Sequence, residues 1–498
     1  MDKTINFPTD KPTCNCGVFG IEGNESDLPI TTYFGLYALQ HRGQEASGIV
    51  KASVNNKGKT EFTIHKGFGL VSDVFADSSM IKGESCNCKI AIGHNRYSTF
   101  GSSDSRNNIQ PFVVNYRDGN LAIAHNGNLT NAKFLRKKLE KEGAIFQTSS
   151  DSEVVLHLIA RSQKEDQIEQ ITEALSTIEG AFSIVIMTDD KLIGARDVNG
   201  VRPLCLGKKD NSYIITSETC ALDINSAEYI RDIEPGEILV IDKSLPVNEQ
   251  LKSYRIKNKQ IEKKHCVFEY IYFSRPDSKI FGSSVDKIRR KLGKNLALHH
   301  PVIDPDGEKV IVMSVPDSSN TAAIGYQAQL EKLKIPSKLE IGLIRSHYIG
   351  RTFILPAQKK RDIGVRIKFN TVKGVLENRT IVILDDSIVR GTTSKQLINL
   401  IKEANPKSIH IRITSPPIYH PCHYGMDFPS REELIANRFE SVEKIKEYLE
   451  VDSLEYMTEQ ELLDSMIDHA PDEFCTACFT GKYPIRVKDL EENLLNAK

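Results

Sequence analysis

TIVILDDSIVRGTT, residues 380–393, is the stretch on which the reading of the fold turns. It begins as an apolar, β-branched run and ends in two adjacent carboxylates, Asp385 and Asp386. A short loop with Ser387, Arg390, Gly391, Thr392 and Thr393 follows, and then SKQLINLIKEA (394–404), apolar at helical spacing. Strand, Gly/hydroxyl loop and helix in that order belong to a parallel sheet whose ligands sit at the carboxyl ends of the strands. Main-chain N–H groups and the positive end of a helix suit a phosphate. Gly391 lets the backbone come close to it. The two acids repel phosphate but can hold sugar hydroxyls, or a Mg²⁺ that bridges to pyrophosphate. A plain acidic strand end with a Ser/Thr helix cap is the alternative account of the same residues.

The flanking sequence continues the alternation. KVIVMSV (309–315) precedes a helical pattern over 320–333, and SIHIRITSP (408–416) follows the 394–404 helix. This predicts an α/β, Rossmann-like half with helices on the faces of a parallel sheet. The first half reads instead as many short strands: CGVFGI (16–21), KIAIGH (89–94), LAIAHNG (121–127), FSIVIM (182–187), KLIGARD (191–197), YIITSET (213–219) and EILVID (237–242). Helices are expected over 31–40, 131–142 and 152–160, the last with Ser150 or Asp151 as its cap. Strands packed with helices predict a layered α/β domain. The polar, lysine-rich 242–264 segment reads as a connection, and the chain from Arg431 onward as helical and charged. The domain reading is residues 1–15 as a leader, then 16–245, 262–430 and a C-terminal helical segment, 431–498.

Apolar residues make up 40% of the 498 and charged residues 26%, the balance of a soluble globular protein. A net charge of -1 gives no bulk electrostatic reason for nucleic-acid or membrane binding. No stretch approaches the ~20 apolar residues of a membrane span. The polar first fifteen residues lack the apolar core of a secretory signal, so a cytoplasmic setting is expected. Ten cysteines in such a chain point to metal or catalytic use rather than disulfides.

The 380–393 string resembles the phosphoribosyl pyrophosphate signature of the type I phosphoribosyltransferases. The resemblance implies that Asp385 and Asp386 hold the ribose hydroxyls and that the loop through Ser387 and Arg390 to Thr393 cradles the 5′-phosphate. VPDSS (315–319) resembles that family's second ligand loop, which implies that Ser318 joins the two aspartates around Mg²⁺. Between them, GRTFILPAQKKRDIGVRIKFNTVKG (350–374) is rich in cations. By itself it reads as a solvated surface loop. The resemblance implies a flap that closes over pyrophosphate with Arg351, Arg366 and Lys368 nearby, excluding water that competes with ammonia.

In the first half, Cys16 opens CGVFGI, followed by ALQHRGQEASGI (38–49), GHNRYSTFG (93–101), AHNGNL (124–129) and TSSDSEV (148–154). A cysteine beside a strand is usually a buried thiol, but this ensemble resembles the N-terminal-nucleophile glutamine amidotransferases. Gly-Val-Phe-Gly-Ile follows Cys16 directly, which selects it over Cys14. Removal of residues 1–15 after Asn15 would expose the Cys16 α-amine, whose pKa of about 7.7–8.0 suits it to take the thiol proton. The resemblance further implies oxyanion donors from Asn126 and Gly127, Arg96 on the glutamine α-carboxylate, Asp151 on its α-ammonium, and Arg42 and Thr99 in the pocket lining. Taken over both halves, from Cys16 to Pro484, the chain resembles the amidophosphoribosyltransferase family.

Cys475-Thr-Ala-Cys478 is a C-x-x-C pair, with Cys422 in HPCHYGMD and Cys266 in KKHCVFEYIYFSRPD. Zinc, redox and structural readings of such a set stay open on spacing alone. The surroundings resemble the iron–sulfur subclass of the family, which implies a [4Fe–4S] cluster on these four positions. Cys86, Cys88, Cys205 and Cys220 match no motif.

The resemblance implies a four-layer αββα N-terminal-nucleophile hydrolase domain followed by a type I phosphoribosyltransferase domain. It also implies the conversion of glutamine, phosphoribosyl pyrophosphate and water to 5-phosphoribosylamine, glutamate and pyrophosphate, the first committed step of purine synthesis. Inhibition by purine nucleotides and assembly as a homo-tetramer or dimer come with it. Two rivals remain at this point. One is an amidotransferase with fructose 6-phosphate or aspartate as acceptor. The other is a non-enzymatic nucleotide sensor.

Overall fold

The computed structural model describes residues 16–23, 27–82, 88–97, 105–242, 244–346, 365–428 and 430–489. In the first half these residues form β1 (Gly17–Glu22), β2 (Ala46–Val54), β3 (Thr60–Phe68), β4 (Cys88–Arg96), β5 (Phe112–Tyr116), β6 (Gly119–Leu129), β7 (Gly180–Met187), β8 (Leu192–Arg196), β9 (Cys205–Lys209), β10 (Ser212–Thr216), β11 (Glu228–Asp232), β12 (Glu237–Ile241) and β13 (Leu251–Arg255). They build two antiparallel sheets, ordered β11-β9-β10-β1-β4-β2-β3 and β13-β12-β8-β7-β6-β5. Strand β1 is buried along its whole length because both of its faces are covered. Val18, Ile90 and Ile92 of the first sheet pack on Ala122, Ala124, Val185 and Met187 of the second.

The outer face of the first sheet takes the Leu28–Ala38 helix, with Phe19 and Ile21 against Leu36. The outer face of the second takes the helices Ala132–Lys141, Ser152–Arg161 and Gln167–Thr177. The result is the expected αββα layering. Two readings differ in detail. The polar connection contains β13, an edge strand paired with β12 and mostly exposed, so it carries no apolar alternation to announce it. The first helix begins at Leu28 rather than near residue 31, since Pro29 is tolerated in a first turn where N–H groups lack partners anyway.

The second half opens with β14 (His265–Cys266) and a small hairpin, β15 (Lys279–Ile280) with β16 (Ser283–Ser284). The helix Val285–His299 leads to β17 (Val310–Ser314), and the helix Asn320–Lys332 to β18 (Ser337–Leu339). A ribbon of β19 (Leu343–Arg345) and β20 (Phe369–Thr371) precedes β21 (Thr380–Asp385). The helix Thr392–Lys402, β22 (Ser408–Ile413), β23 (Ser453–Tyr456) and β24 (Phe474–Cys475) complete it. The sheet is parallel, in the order β18-β17-β21-β22-β23. Alternate residues of its central strands serve opposite faces. Val310, Val312, Val382 and Leu384 pack with Leu292, Leu296 and Tyr326, while Ile311, Met313, Ile381 and Ile383 pack with Leu397 and Ile401.

The expectation of helix from Arg431 onward is corrected here: β23 joins this sheet as its edge beside β22, so the sheet domain runs past residue 430. Strand β24 pairs in parallel with β14, placing Cys475 opposite Cys266. No helix among the described residues is long and apolar enough to cross a membrane.

Candidate functional site

Cys16 stands at the head of β1, buried, with its Sγ 3.7 Å from the Tyr97 carbonyl oxygen. Gly17 is paired with Asn95 of β4, so the end of that strand brings Arg96 to the thiol. Burial pushes the Cys16 thiol up to about 11; Arg96 opposes this, and Asp151 and Glu45 add to it. The thiol, Arg96 and Asp151 therefore share one electrostatic environment, supplied by the start of β1, the end of β4 and the start of the Ser152–Arg161 helix. Thr99 lies outside the described residues.

Asp151 occupies the N-cap position of that helix, but its carboxylate does not cap it. It accepts instead from Leu129 N–H at 3.0 Å and from the Ser152 hydroxyl at 3.2 Å. Burial alone would raise its pKa, but His125 and these hydrogen bonds outweigh burial and hold the carboxyl below its ordinary range. Asn126 is fully buried on β6, and neither its amide nitrogen nor its amide oxygen has a hydrogen-bond partner among the described residues. A buried carboxamide with a free donor and a free acceptor is suited to hydrogen-bond a polar group brought to it. Gly127 follows with φ +144°, where a Cβ would sit 2.0 Å from the Ala181 carbonyl oxygen. Only glycine fits there.

Sequence reading missed the frame around Asp151. His125 N–H donates to Gln110 Oε1 at 2.8 Å, and its ring Nδ1 meets Ser152 Oγ at 2.9 Å. His94 lies against the His125 carbonyl at 3.1 Å, and burial lowers its pKa to about 3, keeping the ring neutral. Both histidines sit inside the motifs already quoted, so adjacency to Asn126 and Arg96 was the available signal.

Arg42 is corrected. Its guanidinium does not line an open pocket. It is fully buried, with Nε on Glu218 and Nη2 2.6 Å from Glu269 Oε2. Arg202 reaches the same Glu269 at 3.2 Å. Burial would raise the Glu218 carboxyl, but Arg42 and His41 hold it well below the ordinary range. Two buried carboxylates require nearby cations, and Arg42 meets that need at the contact between the halves.

In the second half, β17 and β21 lie side by side in register, Ser314 opposite Leu384, so the loops after them meet. Ser318 Oγ donates to Asp386 Oδ2 at 2.5 Å, and Ser387 Oγ to Asp386 Oδ1 at 2.8 Å. Ser319 Oγ lies 3.4 Å from Asp385 Oδ1, which also accepts from Asp386 N–H at 2.9 Å. Gly391, at φ +79°, is the N-cap of the Thr392–Lys402 helix, and a Cβ there would meet Ile435 Cδ1 at 2.2 Å. Arg390 pairs with Glu433 at 3.0 Å. Arg366 pairs with Glu403 on the protein surface rather than reaching the loop. Lys368 is lowered by burial and by Arg345. Arg351 lies outside the described residues. A cation that sequence reading missed, Arg289, is fully buried behind Asp386 and donates to the Tyr270 and Ser274 carbonyls at 2.7 and 2.8 Å. Burial lowers it to about 10, with Asp386 opposing. An arginine inside a helix reads as exposed, which hid it.

Cys266, Cys422, Cys475 and Cys478 line one cavity with Val201, Phe268, Tyr424 and Phe428. Among the described residues, no three His, Cys, Asp or Glu side chains form a group that holds a single metal ion.

Residues 94–223 match the family model of the glutamine amidotransferase domain. The chain is 48% identical over 480 residues to amidophosphoribosyltransferase 2, chloroplastic, of Arabidopsis thaliana, covering 96% of this chain and 80% of that protein. It is 46% identical over 476 residues to amidophosphoribosyltransferase of Bacillus subtilis, covering 95% and 94%. The solved glutamine phosphoribosylpyrophosphate amidotransferase from B. subtilis, complexed with ADP and GMP, superposes with a TM-score of 0.83 at 45% identity, covering 95% of this chain and 98% of that one. Likeness of this extent spans both halves and the segment joining them, and on it the chain belongs to the amidophosphoribosyltransferase family, the glutamine-dependent enzymes of purine biosynthesis.

Proposed function

We propose that glutamine is hydrolysed at Cys16 and that its ammonia is passed to phosphoribosyl pyrophosphate held at the 385–393 loop. The buried Asn126 carboxamide, open at both ends in a site shared with Cys16, Arg96 and Asp151, carries this reading. Removal of residues 1–15 frees the Cys16 α-amine, which takes the thiol proton and later delivers it to departing ammonia. The thiolate attacks the side-chain amide carbon of glutamine. Asn126 Nδ2–H and Gly127 N–H donate to the oxyanion. Arg96 pairs with the substrate carboxylate and Asp151 with its ammonium, with Thr99 in the wall. Water then releases glutamate from the thioester.

At the second site Asp385 and Asp386 hold the ribose hydroxyls. Ser387, Arg390, Gly391, Thr392 and Thr393 cradle the 5′-phosphate, and Arg351 and Lys368 serve the pyrophosphate. The oxygen-only set of Ser318, Asp385 and Asp386 suits Mg²⁺, which supplies counter-charge to the leaving pyrophosphate. Ammonia moves between the sites inside the protein, where it stays unprotonated.

Four soft thiolates lining one cavity suit a [4Fe–4S] cluster, as the iron–sulfur members of the family imply. The cluster's role is structural, and thiolate ligation suits a reducing, cytoplasmic compartment. Purine nucleotides regulate the enzyme, in keeping with the ADP and GMP of the B. subtilis complex. The exposed apolar row Ile30, Phe34 and Tyr37 on one helix offers a surface for assembly as a dimer or tetramer. The domains are 16–245 for glutamine and 262 onward for transfer, the latter including β23.

The test is intact mass and N-terminal sequencing of purified enzyme, together with Cys16→Ala. A mature chain beginning at Cys16, and a variant that loses glutamine-dependent but keeps ammonia-dependent synthesis, are expected. Glutamine turnover by Cys16→Ala, or by a chain that keeps its leader, overturns the assignment.

A further inference from the structure

Strand β6 has β5 beside it only as far as Ile123, so from Ala124 onward its one strand neighbour among the described residues is β7. The stretch that carries Asn126 and Gly127 is instead met by a loop from the other half of the molecule. Asn128 Nδ2 donates to the His423 carbonyl at 2.9 Å. Gly425, at φ +100°, lies so close to Gly127 that a Cβ on it would stand 3.1 Å from the Gly127 carbonyl carbon and 3.2 Å from its oxygen. Those are backbone atoms, which yield only if the strand itself moves.

The loop itself is fixed. Its Tyr424 carbonyl accepts from the buried Arg202 guanidinium at 2.8 and 3.3 Å. Tyr424 Oη donates to the Ile485 carbonyl at 2.7 Å and accepts from Ile485 N–H at 2.9 Å. Tyr424 N–H donates to Cys422 Sγ at 3.3 Å.

We propose that residues 423–425 form the seat of the oxyanion strand, making Asn128 and Gly425 positioning residues for glutamine hydrolysis. The inference rests on Asn126 and Gly127 being the oxyanion donors. Donors act at full strength only when preorganised at the developing charge, and removing one costs about 10²–10³ in kcat. A shift of the strand weakens both without removing either. Arg96, which pairs with the substrate carboxylate, lies on β4, while Asp151 is held by Leu129 N–H at the far end of the same strand as the donors, so the loss falls mainly on kcat with at most a small rise in KM.

The experiment uses the full enzyme carrying Asn128→Asp, which keeps the side-chain shape but turns the donor into an acceptor, or Gly425→Ala, which presses a methyl onto Gly127. Glutamine hydrolysis and ammonia-dependent phosphoribosylamine formation are measured for each, with Asn126→Ala as reference. Gly425→Ala is expected to lose about ten-fold or more in kcat for glutamine, and Asn128→Asp about three- to ten-fold, with KM within about two-fold and ammonia-dependent synthesis retained. If Gly425→Ala does not fold, Asn128→Asp decides alone. A wild-type kcat in the seat variants, a rise in KM with kcat unchanged, or parallel loss of both activities in Asn128→Asp overturns the inference. Wild-type hydrolysis by Asn126→Ala overturns the donor assignment and the inference with it. Loss in Asn126→Ala alongside wild-type rates in both seat variants overturns the inference alone.

Discussion

Glu153 shows how one side chain prepares the ground for Asp151. Its carboxylate accepts from Gln147 N–H, Thr148 N–H and the Thr148 hydroxyl at 2.7, 2.8 and 2.7 Å, fixing the segment that leads into Asp151. Burial opposes its ionisation, but His157 and these donors outweigh burial and hold the carboxyl at about 2. A carboxyl lowered from about 4.3 in the unfolded chain stabilises the fold fully above that pH and progressively less as pH falls toward the folded value. Glu153→Gln is therefore expected to lower the thermal midpoint most near neutral pH, with the gap to the parent protein closing between about pH 4.3 and 2. Thermal melts across that range check it, and a gap that does not vary with pH contradicts it. Glu153, like Arg289, was illegible in sequence. Charged residues on helices or next to turns read as solvated, and only the fold reveals which are surrounded. The places of Cys16, Asp385 and Asp386 at strand ends were legible because the flanking runs are apolar, while the roles expected of them came from the family resemblance.

Among the elements, the long apolar strands and the helices were legible to within a few residues. The expected 320–333 helix is Asn320–Lys332, and the expected 131–142 helix is Ala132–Lys141. Strand β13 was not, since an exposed edge strand lacks the two-faced burial that marks β1 or β21, and β23 buries only Leu454 and Tyr456, an alternation too short to read. Helix ends are likewise settled by distant partners. Asn131 stands at the N-cap of the Ala132–Lys141 helix but spends its amide on Thr177 and Glu179 at 3.2 and 2.9 Å. The open N–H groups of Lys133 and Phe134 are met instead by Asp489, at 3.0 and 3.1 Å, from the far end of the chain. A carboxylate there also faces the positive helix end. Asp489→Ala is expected to lower the unfolding free energy by about 1 kcal/mol, within the usual range for losing a cap. Asp489→Asn, which keeps an acceptor, should fall between. Denaturant midpoints measure it, and an unchanged midpoint in Asp489→Ala would show that the tail contributes no cap.

Across the whole molecule, the two halves meet through buried charge, with Arg42 and Arg202 on Glu269, and through the tail, where Lys488 pairs with Glu179 at 2.8 Å. The four thiols sit where the tail returns to the core of the second half. If a cluster ties these segments together, its binding energy is folding energy. Cys478→Ser is expected to lose iron and visible absorbance and to melt at a lower temperature than the parent. Full iron content in that variant would remove Cys478 from the ligand set. The parallel pairing of β14 with β24 carries one more consequence. Synthesis proceeds from the amino end, and early domains fold while later ones are still being made. A nascent chain thus displays Cys266 and Cys422 long before Cys475 and Cys478 exist. If these four thiols take up iron, delivery must await translation of Cys475 and Cys478, and a filled centre would report that synthesis had passed them.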